Sequence, residues 1–396
     1  MDAAAYDELE RTLAGQGAEA AIERLCARLR DEGDFAGLFY ALLMKKRYQL
    51  GVNPVPTGPA HDLPEQHHQA YEDAIREAGR LVGKLYLDNG NLPQAWAYYR
   101  MLNESAPVRA ALDAYQAAEE EDVQPLVQIA FYEGVHPRKG FEWILRRFGL
   151  CSAITTLSGQ EGNHSAEDRN HCIQTLVRAL YRELRDRLAA DIERREGKLP
   201  AAHASVTTAP GEEGGAVRKL LAGRDWLFED DFYHIDVSHL SSVVQMSINL
   251  GPCSELELAR ELCDYGRRLS PRFQNPGEPP FENQYEAFGV YLAILAGDKA
   301  DEGLAYFRKK VEENNPAEAG TFPAEVYVNL LLKLGREKEA LAVARKYLAG
   351  INDRRLTCPT LPELCHKAGD FRTLAEVARE QNDPVHFIAG PLASRK

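Results

Sequence analysis

No stretch of this 396-residue sequence approaches the roughly 18 uninterrupted apolar residues that a membrane-spanning helix needs, so a membrane-embedded protein is not expected. Cysteine is scarce. Its seven copies (Cys26, Cys151, Cys172, Cys253, Cys263, Cys358, Cys365) are scattered, odd in number and never arranged as CxxC. That pattern argues against a disulfide framework or a structural zinc site, and it suits reduced thiols in a cytosol-like compartment. The start, MDAAAYDELERTLAGQG, has neither the basic stretch nor the apolar core of a secretion signal, which adds to the expectation of a cytoplasmic protein. An excess of basic charge is also missing: 47 Lys and Arg face 60 Asp and Glu, for a net charge of -13. A protein that displaces counterions from phosphates needs a basic face, so nucleic acid is not an expected partner. The densest arginine run, Arg178 to Arg195, is interleaved with Glu183, Asp186, Asp191 and Glu193 and reads as a solvated helix face. Glycine-rich phosphate loops, HExxH and a serine nucleophile elbow are absent, and no cofactor is expected.

What the sequence does contain is helical periodicity. From Cys172 onward, Ile173, Leu176, Val177, Leu180, Tyr181, Leu184, Leu188 and Ile192 recur every three or four residues and so fall on one stripe of a long helix. No segment alternates with period two for long enough to suggest a sheet, and the fold class is read as all-α. Short breaks centred on a glycine recur at Gly33, Gly90, Gly297, Gly335 and Gly369, each between two amphipathic runs. A tight helix-to-helix reversal often requires a positive φ, which glycine supplies. The last three of these glycines are 38 and 34 residues apart, a period typical of stacked helical repeats.

The segment 76–109, REAGRLVGKLYLDNGNLPQAWAYYRMLNESAPVR, resembles one tetratricopeptide repeat, with Gly83, Tyr86, Gly90, Ala95, Tyr99 and Pro107 at the family's relative spacings. Small Gly83 and Ala95 would let two helices approach, Tyr86 and Tyr99 would fill the space beside them, and Pro107 would end the pair. Other units are degenerate: around Gly335 the period and Ala340 remain, and around Gly297 the second helix carries Gly303 and Leu304 where alanine is expected. The resemblance implies a TPR-like α-solenoid of antiparallel helix pairs with an irregular helical centre. Residues 1–109 would hold N-terminal pairs, 110–251 the irregular centre with a flexible segment near 196–215, and 252–396 the C-terminal pairs. A second proline-rich loop is expected over Gly51 to Pro59.

Two sets of side chains are candidates for function. By the same resemblance, the first helix of a pair faces inward, through Glu77, Arg80, Lys84 and Leu87 in the best repeat and through Asn329 and Lys333 near Gly335. Arg80 and Lys84 are four apart, as are Asn329 and Lys333, so each pair shares a helix face suited to a carboxylate or acidic segment of a partner. The other set lies in DFYHIDVSHLSSVVQ, where Asp236 is placed to cap a helix and His234 and His239 are five apart, not the three or four by which helical side chains share a metal. Glu133, His136, His164 and His171 could join a composite site. The two cysteines of CPTLPELCH flank a loop-to-helix junction and read as core thiols.

The resulting expectation is a non-enzymatic scaffold that binds a protein or peptide on a concave helical surface. An enzyme or metal-binding module using His136, His234, Asp236 and His239 is the alternative, and self-association through stacking faces is a third reading.

Overall fold

A computed structural model of the chain describes residues 3–55, 63–159, 164–197, 214–274, 276–314, 320–351 and 356–395. The expected flexible segment near 196–215 lies largely outside these residues, and so do positions 56–59 of the proline-rich loop. Among the described residues there is helix and no strand, as the missing period-two pattern predicts. No described helix is long and apolar enough to cross a membrane. By their contacts the residues fall into two compact units, the first running to Phe148 and including His164, the second taking up from Gly149 to Gly159 and again from Ser165 onward.

In the first unit the helices Ala3–Gln16, Ala18–Asp31, Phe35–Gln49, Glu65–Asp88, Leu92–Leu102 and Ala106–Ala114 pack chiefly on their neighbours in sequence. Gly33 and Gly90 reverse the chain at φ values of 75° and 73°. The side chains of Asp34 and Asn91 then accept the orphan N–H groups of Gly37 and Gln94, fixing where the next helix starts. The core is built from Phe35, Leu38, Phe39, Tyr71, Ala78 and Val82. Gly83 has the role its spacing suggests: a Cβ there would lie 2.8 Å from the Tyr99 ring, which is itself only 5% exposed. With no room for that ring to swing aside, Gly83→Ala is expected to cost about 1–3 kcal/mol, measurable as a lowered thermal midpoint with unchanged helical content.

After Gln124–Val127 the chain widens into a π-turn, Gln128–Tyr132. Gly140 packs against it so closely that a Cβ would meet the Phe131 amide nitrogen at 2.7 Å. The Pro137–Gly159 helix then breaks at Gly149, whose φ of 80° and ψ of 178° are not helical. Both departures from regular helix fall between 110 and 251, where no repeat spacing is read from the sequence.

The second unit is organised on the 31-residue helix Ala166–Glu196, and the apolar stripe read from the sequence is fully buried along it. Ala216–Leu221, Val237–Ser247 and Glu255–Arg268 all pack against this helix. From Glu255–Arg268 the chain continues through Gln284–Leu295, Ala300–Glu313, Phe322–Lys333, Glu337–Tyr347, Leu361–Ala368, Phe371–Glu380 and Pro384–Ala393, each packing on the one before it. Gly297, Gly335 and Gly369 make three of the reversals at φ values of 77°, 67° and 65°. At Gly303 the absence of the expected alanine has a local cause, because a Cβ would come within 2.5 Å of Ile294.

Candidate partner-docking groove

The four basic and amide residues picked out by the repeat register are all engaged within the chain. Arg80 grips Glu104 with a bidentate hydrogen bond, Nε to Oε2 at 3.1 Å and Nη2 to Oε1 at 2.7 Å. Lys84 donates to Asp88 one turn on, at 2.7 Å. Asn329 donates to the Thr357 carbonyl at 3.1 Å. The Lys333 ammonium folds back onto the carbonyls of Asn249 and Leu250, just past the end of Val237–Ser247, at 3.1 and 3.4 Å. Burial there lowers its pKa below the ordinary lysine value. An incoming carboxylate would have to displace Glu104 and Asp88 to reach the first pair.

The histidines and aspartate of the alternative reading also have structural partners. Asp236 caps Val237–Ser247, its Oδ1 accepting the N–H of Ser238 at 2.8 Å and of His239 at 3.2 Å. A hydrogen bond from the Ser238 hydroxyl, helped by those two backbone bonds, holds its carboxyl below the usual range. His239 follows in the first turn. His136 sits in the other unit, ahead of Pro137–Gly159, with Nε2 3.3 Å from Asp113 and Nδ1 accepting the Lys139 N–H. Glu133 takes the Trp96 indole N–H at 2.5 Å and an Arg100 guanidinium at 3.1 Å, and His164 packs its ring on Phe131 at 4.5 Å. Among the described residues no three His, Cys, Asp or Glu side chains gather so that they could hold a metal ion. Burial pushes the thiols of Cys358 and Cys365 up to about 12 and about 11, as expected of core thiols.

Of these histidines, His234 is the buried one, and it lies beside a carboxylate. Its side chain is 1% exposed, its Nε2 lies 3.1 Å from Asp191 Oδ2 without linear hydrogen-bond alignment, and its backbone N–H donates to the Tyr265 hydroxyl at 2.7 Å. Asp191 in turn opens onto a cavity of about 470 Å³ bordered by Arg194, Arg195 and Trp226, with the Arg195 guanidinium over the indole at 4.4 Å. Sealed behind Asp191, the imidazole has no route to a substrate. Burial lowers its pKa, against the opposing pull of Asp191. The unfolded chain therefore takes up a proton on this residue near pH ~6.5 while the folded chain stays neutral until lower pH, so stability falls with pH below ~6.5. His234→Gln should flatten that decline in urea midpoints measured between about pH 7 and about pH 5.

Another open site in the second unit lies elsewhere. Val237–Ser247 touches Gln284–Leu295 directly although Glu255–Arg268 separates them in sequence, so these two helices stand side by side. They line a cavity of about 450 Å³ together with the start of Phe322–Lys333 and the 276–281 loop. Ser241 and Gln245 are four residues apart on one helix, and Gln284 and Phe288 are four apart on the next, so each pair projects from a single face. Phe281 stacks on Phe288 with ring centroids 4.2 Å apart and rests above the fully buried Phe307 at 6.1 Å. Phe322, 39% exposed, stands 6.4 Å from Phe281 as the wall of this aromatic floor. The polar rim consists of Gln284, donating to the Ser241 hydroxyl at 2.5 Å, with Gln245 and Glu278. The volume lies within the range of ordinary ligand pockets, and the mixture of apolar floor and few polar groups is their usual chemistry.

Sequence reasoning named none of these lining residues. One signal was available: Phe322 precedes Asn329 by seven residues and Lys333 by eleven, so all three share one face of Phe322–Lys333. No family model, curated protein or solved structure matches the chain.

Proposed function

We propose that the chain is a non-enzymatic, TPR-like interaction scaffold whose first-helix face in the second unit captures an extended segment of a partner protein. In this reading the helices form antiparallel pairs stacked as an α-solenoid, and the groove walled by Phe322 is its working surface. The observation that carries the reading is that groove. Two neighbouring helices set the buried Phe281–Phe288 stack beside the exposed Phe322 ring and turn outward a Gln245 amide that is uncommitted among the described residues. The packing of helices on their sequence neighbours supports it, because such stacks make extended surfaces suited to segments of other chains. A cytoplasmic setting fits the seven unpaired cysteines.

Photo-crosslinking in the source cell tests this. Benzoylphenylalanine in place of Gln245 is expected to give a discrete adduct with another protein. The same group in place of Lys338, exposed on a second helix, should not. An adduct from Lys338 alone would refute the groove as the docking face.

A further inference from the structure

We infer that the segment taken up by this groove carries a cationic side chain next to a bulky apolar one. The inference rests on the scaffold reading and deepens it. Of the described residues lining the cavity only Glu278 is charged. Its side chain is exposed at the mouth, and among the described residues it has no ion pair, whereas the nearby Glu282 is held by Lys310 at 3.0 Å. A free carboxylate beside an aromatic floor complements a lysine or arginine whose neighbour fills the apolar space. Phe281 and Phe288 form the base of that space, and the half-exposed Phe322 ring offers a face on which either an apolar group or a guanidinium can stack.

The amides set the backbone of the guest. Among the described residues Gln245 has both its donor and its acceptor uncommitted, and Gln284 keeps its carbonyl oxygen after giving its N–H to Ser241. A side-chain amide that offers both groups pairs with the N–H and C=O of an extended strand of peptide, leaving alternate side chains to enter the floor and to meet Glu278. The net charge of -13 acts in the same direction at longer range, drawing cationic segments toward the molecule and repelling acidic ones.

Selection from a displayed library of short random peptides, panned on the purified full chain, tests this. The wild-type protein should enrich sequences with Arg or Lys within a few residues of Leu, Phe, Met or Pro by at least about tenfold over the input. Glu278→Lys should shift the selection to Asp or Glu at the same spacing from the apolar residue, and Phe322→Asp should abolish enrichment. Both positions are exposed, so neither substitution disturbs the core. Enrichment of acidic or uncharged peptides by the wild type, no enrichment, or a selection unmoved by Glu278→Lys would overturn the inference. The Gln245 crosslink reports occupancy whatever the guest's charge, so an adduct without cation selection removes the inference and leaves the scaffold reading intact.

Discussion

Replacing Glu261 with alanine is expected to destabilise the second unit by about 3–4 kcal/mol. The Glu261 residue is fully buried on Glu255–Arg268, and its carboxylate does the work of a helix cap supplied from another helix. One oxygen accepts the Gly215 N–H, and the other accepts the Arg218 N–H at 3.0 Å and the Tyr181 hydroxyl at 2.9 Å. Tyr181 extends the arrangement by accepting the Val217 N–H at 3.1 Å. Together they satisfy the first amides of Ala216–Leu221, a helix too short to hold itself in water. Alanine would remove the acceptor of the Gly215 and Arg218 N–H groups and one partner of the Tyr181 hydroxyl, each orphaned amide costing about 1–3 kcal/mol when buried, with entering water recovering part of the loss. Hydrogen exchange provides the sharpest readout: amides 215–221 should lose protection first. Glu261→Gln should not rescue it, because its NH₂ would face a donor. Unchanged protection in the alanine variant would show that the packing of Leu220 and Leu221 alone anchors this helix.

The second large effect is expected at Phe307. This fully buried ring meets Tyr291 edge-on at 5.6 Å and supports Phe281 from below at 6.1 Å. Phe307→Ala should cost about 3–5 kcal/mol, the usual loss when a core aromatic is truncated and a cavity remains. It should also loosen the Phe281–Phe288 stack, so the variant would bind any groove ligand more weakly even under conditions where it stays folded. Denaturant unfolding gives the first quantity, and the near-ultraviolet circular dichroism of the folded variant reports the second. Phe307→Leu, which keeps most of the volume, should recover the greater part of both.

Much of the local structure was legible because its causes are local. A glycine between two amphipathic runs reads as a reversal, and all five such glycines adopt positive φ. The stripe from Ile173 to Ile192 is determined by helical period alone, and Asp236 by the preference of carboxylates for helix starts. Gly83 beside Tyr99 was legible through the repeat resemblance, since both residues belong to one short unit. The groove was not, because its floor and rim come from two helices, the start of a third and a loop, and no spacing rule connects Gln245 with Phe281 or Phe322. Partners at long range were hidden for the same reason. Arg80 and Lys333 look like free cations in sequence, but folding brings Glu104 to one and the carbonyls of Asn249 and Leu250 to the other. The spacing of His234 and His239 spoke against a shared metal but did not say where His234 points; the fold turns it inward to Asp191 and Tyr265 while Asp236 and His239 start a helix.

The account depends on the groove, and the most direct measurement is the affinity of the partner crosslinked through Gln245 for three forms of the protein. Removing the apolar face of Phe322 with Phe322→Asp should weaken binding by about tenfold to a hundredfold, the equivalent of losing one partly buried aromatic anchor. Wild-type affinity should persist in the doubly substituted Arg80→Glu, Lys84→Glu form, whose changes fall on side chains already paired to Glu104 and Asp88. Undiminished binding by Phe322→Asp, with the loss appearing instead in the Arg80 and Lys84 form, would contradict the account.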